Sequence, residues 1–262
     1  MSERVTLSIA GHVATVTLSR PEKHNAIDLQ MLDALAATAE QLRGKRGLRA
    51  VILCGAGPSF CSGLDFQAVT EALDLQGLAE ILDEQPPNRF QRAAHAWVEL
   101  PLPVIAAIHG HCLGGGLQIA LAADIRIATP DSRLAIMETH WGLIPDMGIT
   151  RTLPRVVSGD VAKLLTFTGR RLSGTEAAAL GLVTQLAEDP LGAATALSQE
   201  ICSRSPDAVR QAKRLLNSGW SGSAPETLAL EARLQRELIG TGNQLAAMAA
   251  ALAGQQPRFA DD

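Results

Sequence analysis

The chain alternates between short strand patterns and helical patterns up to about residue 186. Apolar residues alternate with polar ones across residues 5–18, and a helical pattern capped by Asp28 follows as far as Arg43. Four further strand patterns follow, at residues 49–54, 104–108, 125–128 and 134–136. Apolar periods of two and of 3.6 residues indicate strands and helices respectively. The repeated alternation predicts an α/β domain in which pairs of strands and helices recur.

After about residue 190 the pattern changes. Three helical segments, rich in Ala and Leu and poor in β-branched residues, cover residues 191–204, 206–218 and 225–252. We therefore predict two regions, an α/β core over residues 1–195 and a mostly helical region over residues 196–262. A long helical region appended to a finished core often packs on a neighbouring subunit. This region is therefore expected to support assembly into an oligomer.

The charge balance and the lack of long apolar runs argue against several classes of function. The 262 residues carry 23 Lys and Arg against 27 Asp and Glu, a formal net charge of −4. A nucleic-acid partner is not expected, because such a site needs a basic excess on one face. No apolar run reaches the roughly 20 residues that span a membrane, and residues 1–4 do not begin a signal peptide. The expected location is cytoplasmic, with no membrane partner. The cysteines form no Cys-x-x-Cys, so no metal site is expected.

Two strand-to-loop corners are rich in glycine and other small residues. One is Cys-Ser-Gly-Leu-Asp at 61–65, and the other is the triple glycine at 114–116. Such corners can leave backbone N–H groups unpaired, and the second corner precedes a helix whose N-terminus favours negative charge. Two convergent amides could stabilise an oxyanion, although the glycines could equally serve only to make tight turns. Neither the dinucleotide-binding pattern of glycines nor a P-loop is present.

Six short motifs follow one another along almost the whole chain. They are RPEKHNAI (20–27), FCSGLD (60–65), LGGGLQIALAADIR (113–126), ETHWGLIP (138–145), LPR (153–155) and AAALGLV (177–183). In this order they resemble the motifs of the crotonase (enoyl-CoA hydratase/isomerase) superfamily. The resemblance implies a crotonase-like α/β fold, a spiral of ββα repeats followed by a C-terminal helical region. It also implies a homotrimer or a dimer of trimers that acts on an acyl-CoA thioester.

The resemblance also implies where the substrate binds. The backbone amides of Ser62 and Gly115 would hold the thioester oxygen, and Lys23 and Ala26 would lie near the nucleotide or pantetheine part of coenzyme A. The residues expected to contact coenzyme A are Lys23, Ala26, Ser62, Gly63, Leu64, Asp65, Gly114 and Gly115. No cofactor is implied beyond the CoA moiety of the substrate.

The helix after the triple glycine holds an amide where a carboxylate is usual. Hydratases of the superfamily have one glutamate in this helix and a second one twenty positions later; here these positions hold Gln118 and Glu138. Glutamine has no titratable proton, so it cannot act as a general acid or base. Gln118 lies in an otherwise apolar segment, which favours a buried position facing the cleft. Glu138 is therefore expected to be the principal acid–base group.

Asp146 supplies a second carboxylate. Its position resembles that of the acidic residue in the dienoyl-CoA isomerases of the superfamily, where a glutamate and an aspartate act across the substrate. Two carboxyls in an apolar cleft have their pKa values pushed apart, so that one can start protonated. The alternative is that Asp146 only caps a helix. We predict double-bond isomerisation of an unsaturated acyl-CoA through an oxyanion-stabilised enolate, with Glu138, Asp146 and Gln118 as the catalytic residues.

Other functions stay open on the sequence alone. The leading alternative is a 2-enoyl-CoA hydratase in which Glu138 transfers the protons and Gln118 holds water. Asp146 could instead be a nucleophile, as in the aryl-CoA dehalogenases of the superfamily, although no matching histidine stands near Phe90 and Gln91. A non-catalytic acyl-CoA binder has no need of Glu138, and an RNA binder would need a basic stripe that this acidic chain lacks.

Overall fold

The computed structural model describes residues 4–219 and 222–261 of the chain. Its strands are β1 (Val5–Ala10), β2 (Val13–Leu18), β3 (Ala50–Gly55), β4 (Val104–Ile108), β5 (His111–Leu113), β6 (Ile125–Ala128), β7 (Arg133–Ala135), β8 (Leu172–Ser173) and β9 (Gln185–Leu186). Its helices are α1 (Leu29–Arg43), α2 (Phe66–Ala72), α3 (Leu75–Leu82), α4 (Arg89–Glu99), α5 (Gly115–Ala122), α6 (Ile149–Thr152), α7 (Gly159–Thr168), α8 (Gly174–Ala179), α9 (Pro190–Cys202), α10 (Pro206–Gly219), α11 (Ala224–Leu238) and α12 (Gly242–Ala253). Short 3-10 turns occupy Pro21–Lys23, Glu138–Trp141 and Leu153–Arg155.

The strands form two sheets, and from β4 to β7 the chain alternates between them. The larger sheet has the order β1-β2-β3-β4-β6-β9 and is parallel except for the β1–β2 hairpin. The smaller sheet has the order β5-β7-β8. Strand β4 of the larger sheet is followed by β5 of the smaller sheet, and β6 of the larger sheet is followed by β7 of the smaller one. Beyond β3, Cys61 forms a parallel bridge with Cys112 of β5. The chain therefore winds as a spiral, and the predicted α/β class is confirmed.

Helix burial explains two features of the sequence pattern. Helix α1 begins where the Asp28 carboxylate accepts a hydrogen bond from the Met31 N–H at 2.8 Å, and its apolar stripe is buried against α4. Helix α5 is buried along its whole length. A helix with no solvent face has no reason to carry polar residues. Gln118, the polar residue within α5, must therefore satisfy its amide inside the protein.

The helical region folds back onto the core. Helix α9 packs on β3 and β4, and it runs across residue 195, where the sequence pattern placed the boundary between the two predicted regions. In α10 the Lys213 ammonium group is buried, pairs with Asp124 at 2.8 Å and donates to the carbonyls of Trp97 and Leu102. No helix within residues 4–219 and 222–261 is both long enough and apolar enough to cross a membrane.

The segment predicted as one helical pattern over residues 225–252 consists of two helices, α11 and α12. They are separated by Ile239–Thr241, where Gly240 adopts a left-handed φ of 82° and the Thr241 side chain caps α12. A Gly in this conformation followed by a Thr cap ends one helix and begins the next. The prediction of a continuous pattern was wrong at this break.

The last described residues contact Arg49, which directly precedes β3. The Arg49 guanidinium is almost fully buried, pairs with Asp261 at 2.8 Å and donates to the carbonyls of Cys202 and Phe259. It also lies 5.9 Å from the centre of the Phe259 ring. We call Arg49 together with residues 259–261 the C-terminal clasp. The clasp fixes the end of the helical region beside the start of β3.

Candidate functional site

The two glycine-containing corners lie against each other. Gly63 has a φ of 96°, and a Cβ atom at this position would lie 2.8 Å from the carbonyl oxygen of Leu113. At Gly116 a Cβ atom would lie 2.7 Å from the carbonyl oxygen of Cys61. Only glycine permits both close approaches of backbone to backbone. The predicted substrate loops at 61–65 and 113–116 are therefore brought together in the fold.

Asn25 fastens the first motif to the loop that follows β3. Its buried side chain donates hydrogen bonds to the carbonyls of Ala56 and Ser59 at 2.9 and 2.7 Å, and accepts one from the Arg20 N–H at 2.8 Å. Its φ of 56° is left-handed, a conformation that asparagine tolerates better than most residues. These bonds hold residues 23–26 beside Ser62.

Asp65 is engaged in holding this loop in place. Its carboxylate pairs with Arg20 at 2.7 Å and accepts the Ala68 N–H at the start of α2. Burial acts to raise the pKa of Asp65, but the hydrogen bond from Ala68 and the Arg20 guanidinium outweigh burial and lower it. The side chain predicted to line the coenzyme A channel is therefore an ionised carboxylate that is already paired.

The Ser62 amide is not free to bind a thioester oxygen. Its N–H donates to the carbonyl oxygen of His24 at 2.9 Å, and its hydroxyl donates to the Lys23 carbonyl at 3.2 Å. The assignment of the Ser62 amide as an oxyanion donor was therefore wrong. The same hydrogen bond brings Lys23 and Ser62, two of the residues predicted to contact coenzyme A, next to each other.

The Leu64 amide has the freedom that Ser62 lacks. Ile27 forms a parallel bridge with Leu64, in which the Ile27 N–H donates to the Gly63 carbonyl and the Asp65 N–H donates to the Ile27 carbonyl. In such a bridge the N–H and C=O of the central residue point away from the partner strand. The Leu64 N–H thus points away from Ile27, and it has no hydrogen-bond acceptor within the described residues.

The triple glycine forms the start of α5 and lies beside an acid. Gly114 has a φ of 52° and a ψ of −122°, a conformation that favours glycine. A Cβ atom on Gly114 would lie 3.5 Å from Glu138 Oε1. Gly115 is the first residue of α5, so its N–H has no acceptor within the helix. The Gly115 N–H also has no acceptor elsewhere in the described part of the chain.

Gln118 connects the other two predicted catalytic residues. Its side chain is only 2% exposed. Nε2 donates to Glu138 Oε1 at 2.7 Å, and Oε1 accepts the backbone N–H of Met147 at 2.8 Å. The amide therefore orients the Glu138 carboxyl group and fixes the backbone next to Asp146. The prediction that Gln118 is buried is confirmed.

One carboxyl oxygen of Glu138 accepts a hydrogen bond from the described residues, and the other does not. Oε1 accepts from Gln118, whereas Oε2 is buried and has no hydrogen-bond partner among the described residues. Burial raises the pKa of Glu138, and the nearby Asp146 carboxylate raises it further against the opposing effect of Gln118. A buried, unpartnered carboxyl oxygen with a raised pKa can exchange protons at a pH where an ordinary glutamate cannot.

Asp146 is a second partly buried carboxyl of the same kind. Burial raises its pKa. The alternative assignment of Asp146 as a helix cap is wrong, because α6 begins at Ile149 and its capping residue is Gly148. Glu138 and Asp146 thus form an acid pair, with Gln118 bonded to the first and to the residue after the second.

The acid pair makes a prediction about stability and pH. The folded-state pKa of Glu138 lies above its unfolded value, so stability falls as pH rises through the interval between the two. Glu138→Gln should therefore raise the free energy of unfolding at about pH 8, by at most ~1.4 kcal/mol per unit of pKa elevation, and have little effect at about pH 4. Urea unfolding at both pH values measures this, with the exposed Glu71→Gln as control. An equal change at both pH values would contradict the raised pKa.

Two cavities lie beside α10, and their linings do not include Glu138 or Asp146. One of about 460 Å³ includes Asp124 and Lys213 in its lining, and one of about 800 Å³ includes Glu40 and Glu99. These acids form ion pairs with Lys213 or Arg43. In the part of the chain that the structure describes, no group of three His, Cys, Asp or Glu side chains is placed to hold a metal ion.

The chain is similar to known proteins over nearly its whole length. A profile described as "Enoyl-CoA hydratase/isomerase" matches residues 8–261. The short-chain-enoyl-CoA hydratase of Clostridium acetobutylicum is 34% identical over 250 residues, which cover 94% of this chain and 93% of that protein. The mitochondrial Delta(3,5)-Delta(2,4)-dienoyl-CoA isomerase of Mus musculus is 34% identical over 251 residues, covering 92% and 76%. The two relatives are named for different reactions, so similarity alone does not select one of them.

The fold agrees with solved structures over nearly its full length. The crystal structure of the enoyl-CoA hydratase from Bacillus anthracis matches with a TM-score of 0.91 at 31% identity and covers 98% of both chains. The match includes the spiral core and the helical region. The predicted crotonase-like fold is confirmed.

Proposed function

The chain belongs to the enoyl-CoA hydratase/isomerase family, and we propose that it moves a carbon–carbon double bond within an unsaturated acyl-CoA thioester. The observation that carries this proposal is the buried, unpartnered Glu138 Oε2 beside the triple glycine, with Asp146 as the second acid. The position of the first of the two hydratase glutamates is taken by Gln118, which cannot transfer a proton. Two carboxyls flanking one substrate suit a reaction that removes a proton at one carbon and adds one at another.

The oxyanion donors we propose are the N–H groups of Leu64 and Gly115. Both lack acceptors in the described residues, and their loops are in contact through Gly63 and Leu113. As the proton beside the thioester carbonyl leaves, negative charge develops on the carbonyl oxygen. Preorganised N–H donors are worth ~3–4 kcal/mol each in such sites. The N-terminal end of α5 adds a favourable dipole at the same oxygen.

Glu138 and Asp146 divide the two proton transfers in this proposal. Ionised Glu138 takes the proton from the carbon next to the thioester, forming an enolate conjugated with the double bond. Protonated Asp146 then donates its proton to the far end of the conjugated system, and the double bond moves. The proton now on Glu138 must return to Asp146 before the next turnover. Burial disfavours having both carboxyls ionised together, so the pair holds one proton, and the form with ionised Glu138 and protonated Asp146 is the reactive one in this proposal.

Hydration is the second candidate, because Gln118 keeps one further N–H on Nε2 beside Glu138. That N–H could hold a water molecule while Glu138 removes its proton. The similarity to the short-chain-enoyl-CoA hydratase of Clostridium acetobutylicum also supports this reaction. In this alternative Asp146 has no proton to transfer.

Parallel assays on 2-trans-enoyl-CoA, 3-enoyl-CoA and 3,5-dienoyl-CoA separate the two reactions. We expect turnover of 3-enoyl-CoA or 3,5-dienoyl-CoA, and a loss of about 10²-fold or more in that rate for Asp146→Asn. The exposed Asp131→Asn is the matched control and should keep the wild-type rate. Fast hydration of 2-trans-enoyl-CoA with no turnover of the others, or full isomerase activity in Asp146→Asn, would refute the isomerase proposal.

We also propose that coenzyme A lies along the turn at residues 23–26 and the loop at residues 62–65, entering as part of the substrate with no separate cofactor. Support comes from the Ser62 bonds to Lys23 and His24, which join the two segments. We propose a homotrimer or a dimer of trimers in the cytoplasm, in which the helical region from α9 onward contributes to assembly.

A further inference from the structure

An aromatic pair joins the two walls of the proposed substrate cleft. Phe66 opens α2, two residues after Leu64, whose N–H we assigned to the oxyanion site. Trp141 ends the 3-10 turn that begins with Glu138. The centroids of the Phe66 and Trp141 rings are 5.2 Å apart with an angle of 49° between the ring planes. The contact therefore links the oxyanion loop to the turn that carries the acid.

The geometry of the turn aims Trp141 at the same space as Glu138. In a 3-10 helix the side chains at positions i and i+3 lie on the same side. Glu138 and Trp141 are three positions apart in such a turn. The His140 ring meets the Trp141 ring edge-on at 5.3 Å and supports its orientation. The indole therefore lies on the face of the turn from which the acid acts.

Both rings are open to solvent at the edge of a polar site. Phe66 is 37% exposed and Trp141 is 57% exposed, and the neighbouring Ile144 is 75% exposed. Clustered exposed apolar side chains beside a cleft are typical of ligand-binding grooves. Because the ring planes are tilted by 49°, a flat ligand can stack on one ring and place its face against the edge of the other.

We infer that Phe66 and Trp141 form the subsite for the distal part of the acyl group and select flat acyl groups, aryl or conjugated, over flexible alkyl chains. This inference rests on the proposed function, since it places the thioester at Leu64 and Gly115 and the reacting carbons beside Glu138. The acyl group then extends along the face of the turn from Glu138 to Trp141. Each good aromatic contact adds about 2- to 10-fold in affinity over the same area of alkyl chain.

The test compares two saturated thioesters that bind but do not react. Phenylbutanoyl-CoA and decanoyl-CoA have the same number of acyl carbons, and the decanoyl chain is the more flexible and exposes more apolar surface. Titration calorimetry with the intact protein gives the ratio of their dissociation constants. We expect wild type to bind phenylbutanoyl-CoA at least as tightly as decanoyl-CoA. In Trp141→Leu and in Phe66→Leu the preference should fall by about 2- to 10-fold.

Ile9→Ala, on the edge strand β1, is the control for loss of an exposed apolar side chain and should leave the ratio unchanged. A wild-type preference for decanoyl-CoA, or a ratio unchanged in both leucine variants, would overturn the inference and leave the proposed function standing. Failure of wild type to bind either thioester would overturn the proposed function and this inference with it. Because the two rings are exposed, each variant is expected to fold, and a ratio is insensitive to a uniform loss of active protein.

Discussion

Glu138→Gln is expected to lower kcat on the preferred thioester by about 10²- to 10⁴-fold, the range for loss of a general acid–base group. The substitution preserves the shape of the side chain and keeps an oxygen to accept the hydrogen bond from Gln118. It removes only the ability of the free Oε2 to take up a proton. The effect should therefore appear in kcat, with KM changed much less. Steady-state kinetics on the best of the three unsaturated thioesters measures both.

The pH profile of the wild-type protein provides an independent check. The acid pair is active when it holds one proton, so kcat/KM should fall at low pH, where both carboxyls are protonated, in a range that burial has raised. Activity should fall again at higher pH, where both carboxyls are ionised and the pair has no proton to donate. Glu71→Gln should match wild type throughout. A rate for Glu138→Gln within about twofold of wild type would remove Glu138 from the mechanism.

Gln118→Glu is expected to raise the apparent pKa of the low-pH limb by about 1 to 3 units. One oxygen of the new carboxylate can keep the bond from the Met147 N–H. The other would face Glu138 Oε1 across the present 2.7 Å contact, where two carboxylates must share a proton. Isomerisation near neutral pH should fall, because less Glu138 is ionised, by up to about tenfold for each unit by which the apparent pKa exceeds the assay pH. Hydration of 2-trans-enoyl-CoA should appear, because the site then holds the second glutamate.

Gln118→Met is the matched control for this change. It keeps the length of the side chain and adds no charge, so it should weaken activity by loosening Glu138 and Met147. Because it removes the hydrogen bond that lowers the Glu138 pKa, it should raise the apparent pKa, but by less than Gln118→Glu, which also adds a charge. Rate profiles against pH, recorded for both variants on an isomerase substrate and on 2-trans-enoyl-CoA, separate the two effects. If Gln118→Glu gains no hydration and its pH profile is unchanged, the missing acid does not decide the reaction.

The sequence predicted the fold class well because each turn of the spiral carries its own local pattern. Strands β3 and β4 are short runs of buried apolar residues, and α1 has a capping aspartate with a helical stripe behind it. The helical region was harder. Its break at Gly240 lies between two segments of equal helical character, and a single glycine within a helical pattern is a weak signal.

The spacing of Gln118, Glu138 and Asp146 predicted residues that could act together, but it could not assign the amide donors. Whether a loop N–H is free depends on which carbonyl lies opposite it. Ser62 faces His24, and Leu64 is left unpaired because its neighbours bridge to Ile27. This pairing is set by tertiary contacts between segments far apart in the sequence. The Phe66–Trp141 contact is invisible in the sequence for the same reason.

The C-terminal clasp has a consequence for how the protein is made. Arg49 and Asp261 are 212 positions apart, so their contact is among the most non-local that this chain can form. During synthesis the spiral core leaves the ribosome first. At that stage Arg49 has no Asp261 carboxylate to pair with. Contacts of such long range form late and slow the approach to the native state. Arg49 therefore lacks this ion pair until residue 261 has been made.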